Sequence, residues 1–154
     1  MTSHYESPRA MPALVCTLAR PNHAIERDPS DADAYFSRAQ AHEHAGDHQR
    51  ALIDYARTIE LDRAHIEAYF GRGYSNLMLR DWFAAVDDFS KVVAAQPKRF
   101  HAYYLRAHAY DLWGRRELAV ADFSRVIELV PEHAHAYLGR ASTREDMAEW
   151  ALAL

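Results

Sequence analysis

Four kinds of side chain in this sequence could do chemistry: ten histidines, one cysteine, scattered carboxylates, and arginines that recur at a fixed distance from aspartates. Imidazoles bind a metal together when they share a helix face, three or four residues apart. His42 and His44 are two apart, as are His133 and His135, so neither pair shares a face. His44 and His48 are four apart, but Gly46-Asp47 between them reads as a turn. His101 and His108 share a face across two helical turns, about 10 Å at the helical rise. Cys16 is the only thiol. The ligand spacings of a zinc site are missing. No metal is expected, and the histidines read as solvated or groove-lining groups able to make binding pH-sensitive between about 6 and 7.

Catalytic signatures are also missing. The sequence holds no GxSxG, no phosphate-cradling glycine loop and no HExxH. The Asp and Glu residues are spread over what read as helix surfaces. The expectation is a protein that is not an enzyme and uses no cofactor. Asp54, Asp88 and Asp122 each follow an arginine (Arg38, Arg72, Arg106) by the same interval. One reading is an arginine ladder for an acidic ligand. The other is a repeated ion pair between adjacent helices, and it is preferred because a partly buried arginine is seldom left unpaired.

The elements that must carry these residues emerge when the sequence is laid on itself at one fixed period, the step from Tyr35 to Tyr69. One column reads Tyr35, Tyr69, Tyr103 and Tyr137; the next reads Arg38, Arg72, Arg106 and Arg140. A small-residue column follows at Ala39, Gly73, Ala107 and Ala141. Further on come Ala51, Ala85, Ala119 and Ala153, then Tyr55, Phe89 and Phe123. A proline column closes the unit at Pro29, Pro97 and Pro131, with Arg63 as its exception. Each unit reads as two helices. Ser30 or Asp31 is placed to cap the first, Gly46 to end it, and Asp47 to cap a second helix with Ala51, Leu52, Tyr55 and Ile59 on one face. Gly114 repeats that turn, whereas Arg80-Asp81 has no glycine.

This pattern resembles the tetratricopeptide repeat, from Ala32 to Arg140. The resemblance implies an all-α, right-handed solenoid of antiparallel helix pairs. The expected domain runs from 10 to 154, after a disordered tail at 1–9. It comprises an N-terminal partial or capping helix at 10–29, repeats at 32–65, 66–99 and 100–133, and a C-terminal partial repeat or capping helix at 134–154. Pro21 falls in the Tyr55/Phe89/Phe123 column, so the first helix is expected to be short or kinked.

The resemblance also implies a function, protein binding on the inner face lined by each first helix. The inner-face positions here are Asp33, Phe36 and Gln40, then Glu67, Phe70 and Tyr74, then His101, Tyr104, His108 and Asp111. Phe36, Phe70 and Tyr104 form one aromatic column, which either marks an interaction site or packs on a neighbouring helix. The Lys, Asn and Arg with which some relatives clamp a C-terminal carboxylate are not matched, since Phe36, Gln40, Gly71, His101 and Leu105 stand there. With Asp33, Glu43, Glu67, Asp111 and Glu145 and no Lys or Arg, the groove is expected to be mildly acidic. Its expected partner is a peptide or helix with apolar anchors and basic flanks. The alternative is assembly, a homodimer through the C-terminal helix at Trp150 to Leu154, or a place in a longer array.

Bulk properties exclude other classes. At 154 residues, 49% hydrophobic and 26% charged, the chain suits one soluble domain with a real core. A net charge of -4 lacks the basic excess of a nucleic-acid binder. No apolar run approaches a membrane span. The nearest to a signal segment, Ala10 to Ala19, contains Pro12 and leads into Arg20-Pro21 rather than a small-residue cleavage site. The expected location is the cytoplasm.

Overall fold

In a computed structural model of the chain, the structure describes residues 10–152, with side chains from 17 to 148. The expected tail at 1–9 lies outside the described residues. Those residues form eight helices and no strand. None is long and apolar enough to cross a membrane. By packing, the chain divides into two units, residues up to His65 and residues from Ile66.

The first unit holds α1 (Ala10–Arg27), α2 (Ala32–His44) and α3 (His48–Leu61). The second holds α4 (Ile66–Met78), α5 (Trp82–Ala95), α6 (Phe100–Leu112), α7 (Arg116–Leu129) and α8 (Ala134–Leu152). The sequence period sets these bounds: α2, α4, α6 and α8 start at 32, 66, 100 and 134, and α3, α5 and α7 at 48, 82 and 116.

The turns inside each pair are built alike. Gly46 and Gly114 adopt φ of 77° and 76°, and Arg80 adopts φ 65° where the second repeat has no glycine. All three turns make the paired closing bonds of a left-handed helix end: Gly46 N–H to Glu43 and Asp47 N–H to His42, then Arg80 to Leu77 and Asp81 to Asn76, then Gly114 to Asp111 and Arg115 to Tyr110. Asp47 and Asp81 then cap α3 and α5, accepting from Arg50 N–H at 3.1 Å and Ala84 N–H at 3.0 Å. Asp31 caps α2 by accepting from Ala34 N–H at 3.0 Å. Ser30 instead donates to Asp28.

The turns that close each repeat are also alike, with Asp31, His65, Arg99 and His133 donating their N–H to the carbonyl three residues back. At Arg63, where the proline is missing, the Asp62 side chain accepts from Ala64 N–H at 2.9 Å and makes the turn locally.

Of the two alternatives for the first helix, short or kinked, the short one is corrected: α1 runs 18 residues with Pro21 inside it. Pro21 is buried and borders one cleft with Ala34. Pro21 stands in the column of Tyr55, Phe89 and Phe123 and is buried like them, and that burial works against the cost of the lost backbone bond.

In both units the small columns set how closely the helices approach. Ala39, Ala51, Ala85, Ala107 and Ala119 are fully buried, and Tyr55, Phe89 and Phe123 are nearly so. A Cβ on Gly73 would lie 3.0 Å from the Phe89 ring, so that ring packs directly on the α4 backbone. In the second unit Phe89 packs with Leu77, Val86 and Ala109, and Phe123 with Val126 and Ala136. Ala141 of the same small column is exposed, because α8 continues straight to Leu152 and no second helix of its repeat covers it.

Candidate functional site

The Arg–Asp ladder is structural. Arg38 Nε and Nη2 donate to Asp54 at 2.8 and 2.7 Å, Arg72 to Asp88 at 2.8 and 2.7 Å, and Arg106 to Asp122 at 2.7 and 2.8 Å. The carboxylates are buried, so no ligand can reach them. Each guanidinium also lies 5.5–5.6 Å from the ring of the tyrosine three residues earlier. The remaining Nη1 of Arg38 donates to Asn22 at 3.0 Å, that of Arg106 to Ser90 at 3.1 Å, and that of Arg140 to Ser124 at 3.2 Å. Bidentate pairing of this kind fixes the angle between two helices.

In the first unit, the inner-face position Phe36 packs 5.9 Å from the Tyr55 ring and 4.5 Å from His65. Asp33, almost fully exposed, sits 3.7 Å from His65 Nε2. Gln40 is exposed on the same helix. Glu43 is engaged: the Tyr55 hydroxyl donates to it at 2.8 Å. Burial, with Glu43 adding to it, pushes the Tyr55 hydroxyl well above the usual phenol range, so it holds its proton and the hydrogen bond.

In the second unit, Phe70 sets its ring edge-on to Phe89 at 5.8 Å. The Arg99 guanidinium covers it at 4.1 Å and grips Glu67 with both nitrogens, one contact at 2.8 Å. Tyr74 packs against the Leu77–Phe89 cluster. Tyr104 lies 6.0 Å from Phe123, 4.5 Å from His108 and 5.0 Å from His133. His101 stacks on Phe100 at 3.8 Å, and Phe100 lies 5.5 Å from His133. Burial holds His108 below its ordinary 6.5, opposed by Asp111, which keeps this imidazole neutral at neutral pH. Asp111 is half-buried and its Oδ1 has no hydrogen-bond partner.

The aromatic column packs on neighbouring helices, as one of its two readings has it. Phe36, Phe70 and Tyr104 each pack one side onto a helix core and keep some exposure. The expectation of a groove without Lys or Arg is corrected: Arg99 lies in it, and Glu67 is spent on Arg99 as Glu43 is on Tyr55. Sequence reasoning missed the column that does this. His65, Arg99 and His133 stand one period apart, and each covers the inner-face aromatic of the helix pair before it, Phe36, Phe70 and Tyr104 in turn. They are legible as a column but lie in the turn before a helix, where residues ordinarily serve capping and backbone geometry. His133 also caps α8, its Nδ1 accepting from Ala136 N–H at 3.2 Å. Among the described residues, no three His, Cys, Asp or Glu side chains are grouped to hold a metal.

Sequence profiles of the tetratricopeptide repeat match residues 22–66, 67–99 and 100–133 in succession. The chain belongs to the tetratricopeptide repeat family. The helix pairs are therefore those of an all-α tetratricopeptide solenoid, a protein-interaction fold. No curated protein matches the sequence. Among solved structures, MamA aligns with a TM-score of 0.85 at 20% identity over 96% of this chain and 86% of its own. YrrB, described as a tetratricopeptide repeat protein with an unusual peptide-binding site, aligns with a TM-score of 0.83 at 19% identity over 90% and 71%. The first such domain of Spaghetti, bound to the HSP90 peptide SRMEEVD, aligns with a TM-score of 0.73 at 21% identity over 79% and 96%. These likenesses are of fold.

Proposed function

We propose that this tetratricopeptide protein is a non-enzymatic binding module whose inner-face aromatic and imidazole side chains take up a peptide or helix of a partner protein. The observation that carries the reading is the cluster of Tyr104, His108, His101 and His133 on α6 and the turn before α8. Tyr104 packs one side on the Phe123 and Val126 cluster, while His101 is exposed and Tyr104, His108 and His133 each keep part of their surface open. Flat, half-buried rings accept apolar and aromatic anchors at low entropic cost. Asp111, on the same helix as Tyr104 and His108, favours a basic residue flanking those anchors. With Glu67 of the same unit already engaged by Arg99, that preference rests on Asp111 rather than a general acidity.

The test is peptide selection from a random display library on the whole protein, followed by affinity measurement with wild type and with Tyr104→Ala/His101→Ala. Selected peptides should share an aromatic or branched apolar anchor with Lys or Arg beside it. The double variant should bind them at least tenfold more weakly, about 1.4 kcal/mol. Peptides that bind the variant equally well would place recognition elsewhere. A second reading, self-association, is favoured by the exposure of Tyr137 and Leu138 on α8. The Trp150 to Leu154 side chains invoked for it lie outside the described residues.

A further inference from the structure

Beyond the inner face and bordering it at His108, the second unit exposes a run of large apolar side chains where its helix pairs turn. Met78, Phe83, Leu112, Trp113 and Leu118 are all exposed, and Phe83 meets Trp113 edge-on at 5.6 Å. Behind them an open groove of about 360 Å³ runs over Leu77, Trp82, Leu105 and His108, with Arg80 at its side. The repeat itself does not demand these residues. At the positions of Met78, Leu79, Trp82 and Phe83, the first repeat carries His44, Ala45, His48 and Gln49. A surface apolar only where packing leaves it free calls for a partner.

Two cations flank the patch. Arg80 borders the groove, and Arg115 lies over the Trp113 ring at 5.0 Å. The occupant should therefore be apolar and acidic, and this chain carries such a segment. Met147, Trp150 and Leu154 fall at helical spacing, with Glu145, Asp146 and Glu149 between them. The backbone also presents it. α4 and α6 stop at Met78 and Leu112, whereas α8 runs on past the matching position, Asp146, to Leu152. That extension carries it about 9 Å beyond the turns.

We propose that the turn edge of the second unit, centred on Phe83 and Leu112 and flanked by Arg80 and Arg115, docks the acidic, apolar segment 145–154 of a second copy of this chain. α4, α6 and α8 run in one direction, since one antiparallel helix separates each from the next. Groove and segment thus lie at the same end of the unit. Two copies can exchange segments reciprocally, and an exchange of that symmetry closes as a dimer instead of growing into a fibre. The proposal rests on the self-association reading; its groove borders the peptide site at His108 and uses none of Tyr104, His101 or His133.

The test uses the full chain. Sedimentation across a range of concentrations measures the dimer, and a fluorescein-labelled peptide of residues 143–154 probes the groove by anisotropy. Phe83→Glu/Leu112→Glu changes two exposed side chains, and circular dichroism checks that the variant is folded. It should weaken both the dimer and peptide binding at least tenfold, while Tyr104→Ala changes neither. Arg80→Asp/Arg115→Glu and Glu145→Arg/Asp146→Arg should each be monomeric alone and associate when mixed. A dimer indifferent to Phe83→Glu/Leu112→Glu would keep self-association and overturn this site for it. A chain that stays monomeric and does not bind the peptide would overturn both. Peptide binding without a concentration-dependent dimer would assign the segment to its own copy and overturn the exchange.

Discussion

A buried aspartate held by an arginine fork is costly to leave with one partner. Asp88 accepts from Arg72 with both oxygens and is 1% exposed; Asp87, its neighbour, pairs with Lys91 on the surface. Removing Asp88 strands a half-buried guanidinium, so Asp88→Ala should lower unfolding free energy by about 3 kcal/mol. Asp87→Ala loses a solvated pair worth below about 0.5 kcal/mol. Urea titrations of the two variants decide it, and equal shifts of the midpoint would contradict the structural role given to the ladder. The constant interval from each arginine to its aspartate made this pairing legible before any coordinates. The stacking of each guanidinium on its own tyrosine was not, because three-residue spacing within a helix is too common to point to a contact.

At the scale of the element, the three turns inside the helix pairs form a natural experiment on backbone conformation. They share one hydrogen-bond pattern, but two place glycine at the left-handed position and one places Arg80 there. A side chain in that region costs roughly 1–2 kcal/mol, part of which glycine gives back through its greater freedom when unfolded. Arg80→Gly should therefore raise stability by about 0.5–1 kcal/mol. Gly114→Ala should lower it by about 1 kcal/mol, although its added methyl would meet nothing within 4 Å. Thermal melts that moved in the same direction for both would show that side-chain contacts, not φ, set the energy of these turns. Legibility differed between elements for related reasons. Helix starts at 32, 66, 100 and 134 followed from the period, since packing columns repeat wherever the same helices meet. The long α1 did not, because proline is read as a breaker and the burial that compensates Pro21 depends on α2. The ring-covering role of His65, Arg99 and His133 was hidden for another reason. Turn residues are usually chosen for backbone geometry, and the ring each one covers lies on the first helix of the preceding pair, with a whole second helix between them in sequence.

At the scale of the whole molecule, a repeat array is stabilised by each helix's immediate neighbours, so stability should grade along it rather than stand or fall as a block. In the second unit, α5, α6 and α7 are each packed between neighbours, while α8 meets α7 and, marginally, α6. Its outward residues Tyr137, Leu138 and Ala141 are exposed, and its buried set is thin beside that of α5, which seals Ala85, Val86, Phe89, Val92 and Val93. Local opening should follow that difference, since helices with few buried contacts open at a fraction of the global cost. Amide hydrogen exchange on the dilute chain should thus show α8 exchanging first, and α5 to α7 last and together. In the first unit α1, which packs on α2 alone, should exchange ahead of α2 and α3. The same measurement at high concentration carries further weight, because docking of segment 145–154 on a second copy would slow exchange at the end of α8 and leave α1 unchanged. Protection that is uniform across all helices at both concentrations would mean that the chain opens only as a whole, and neighbour-by-neighbour stabilisation would be wrong for it.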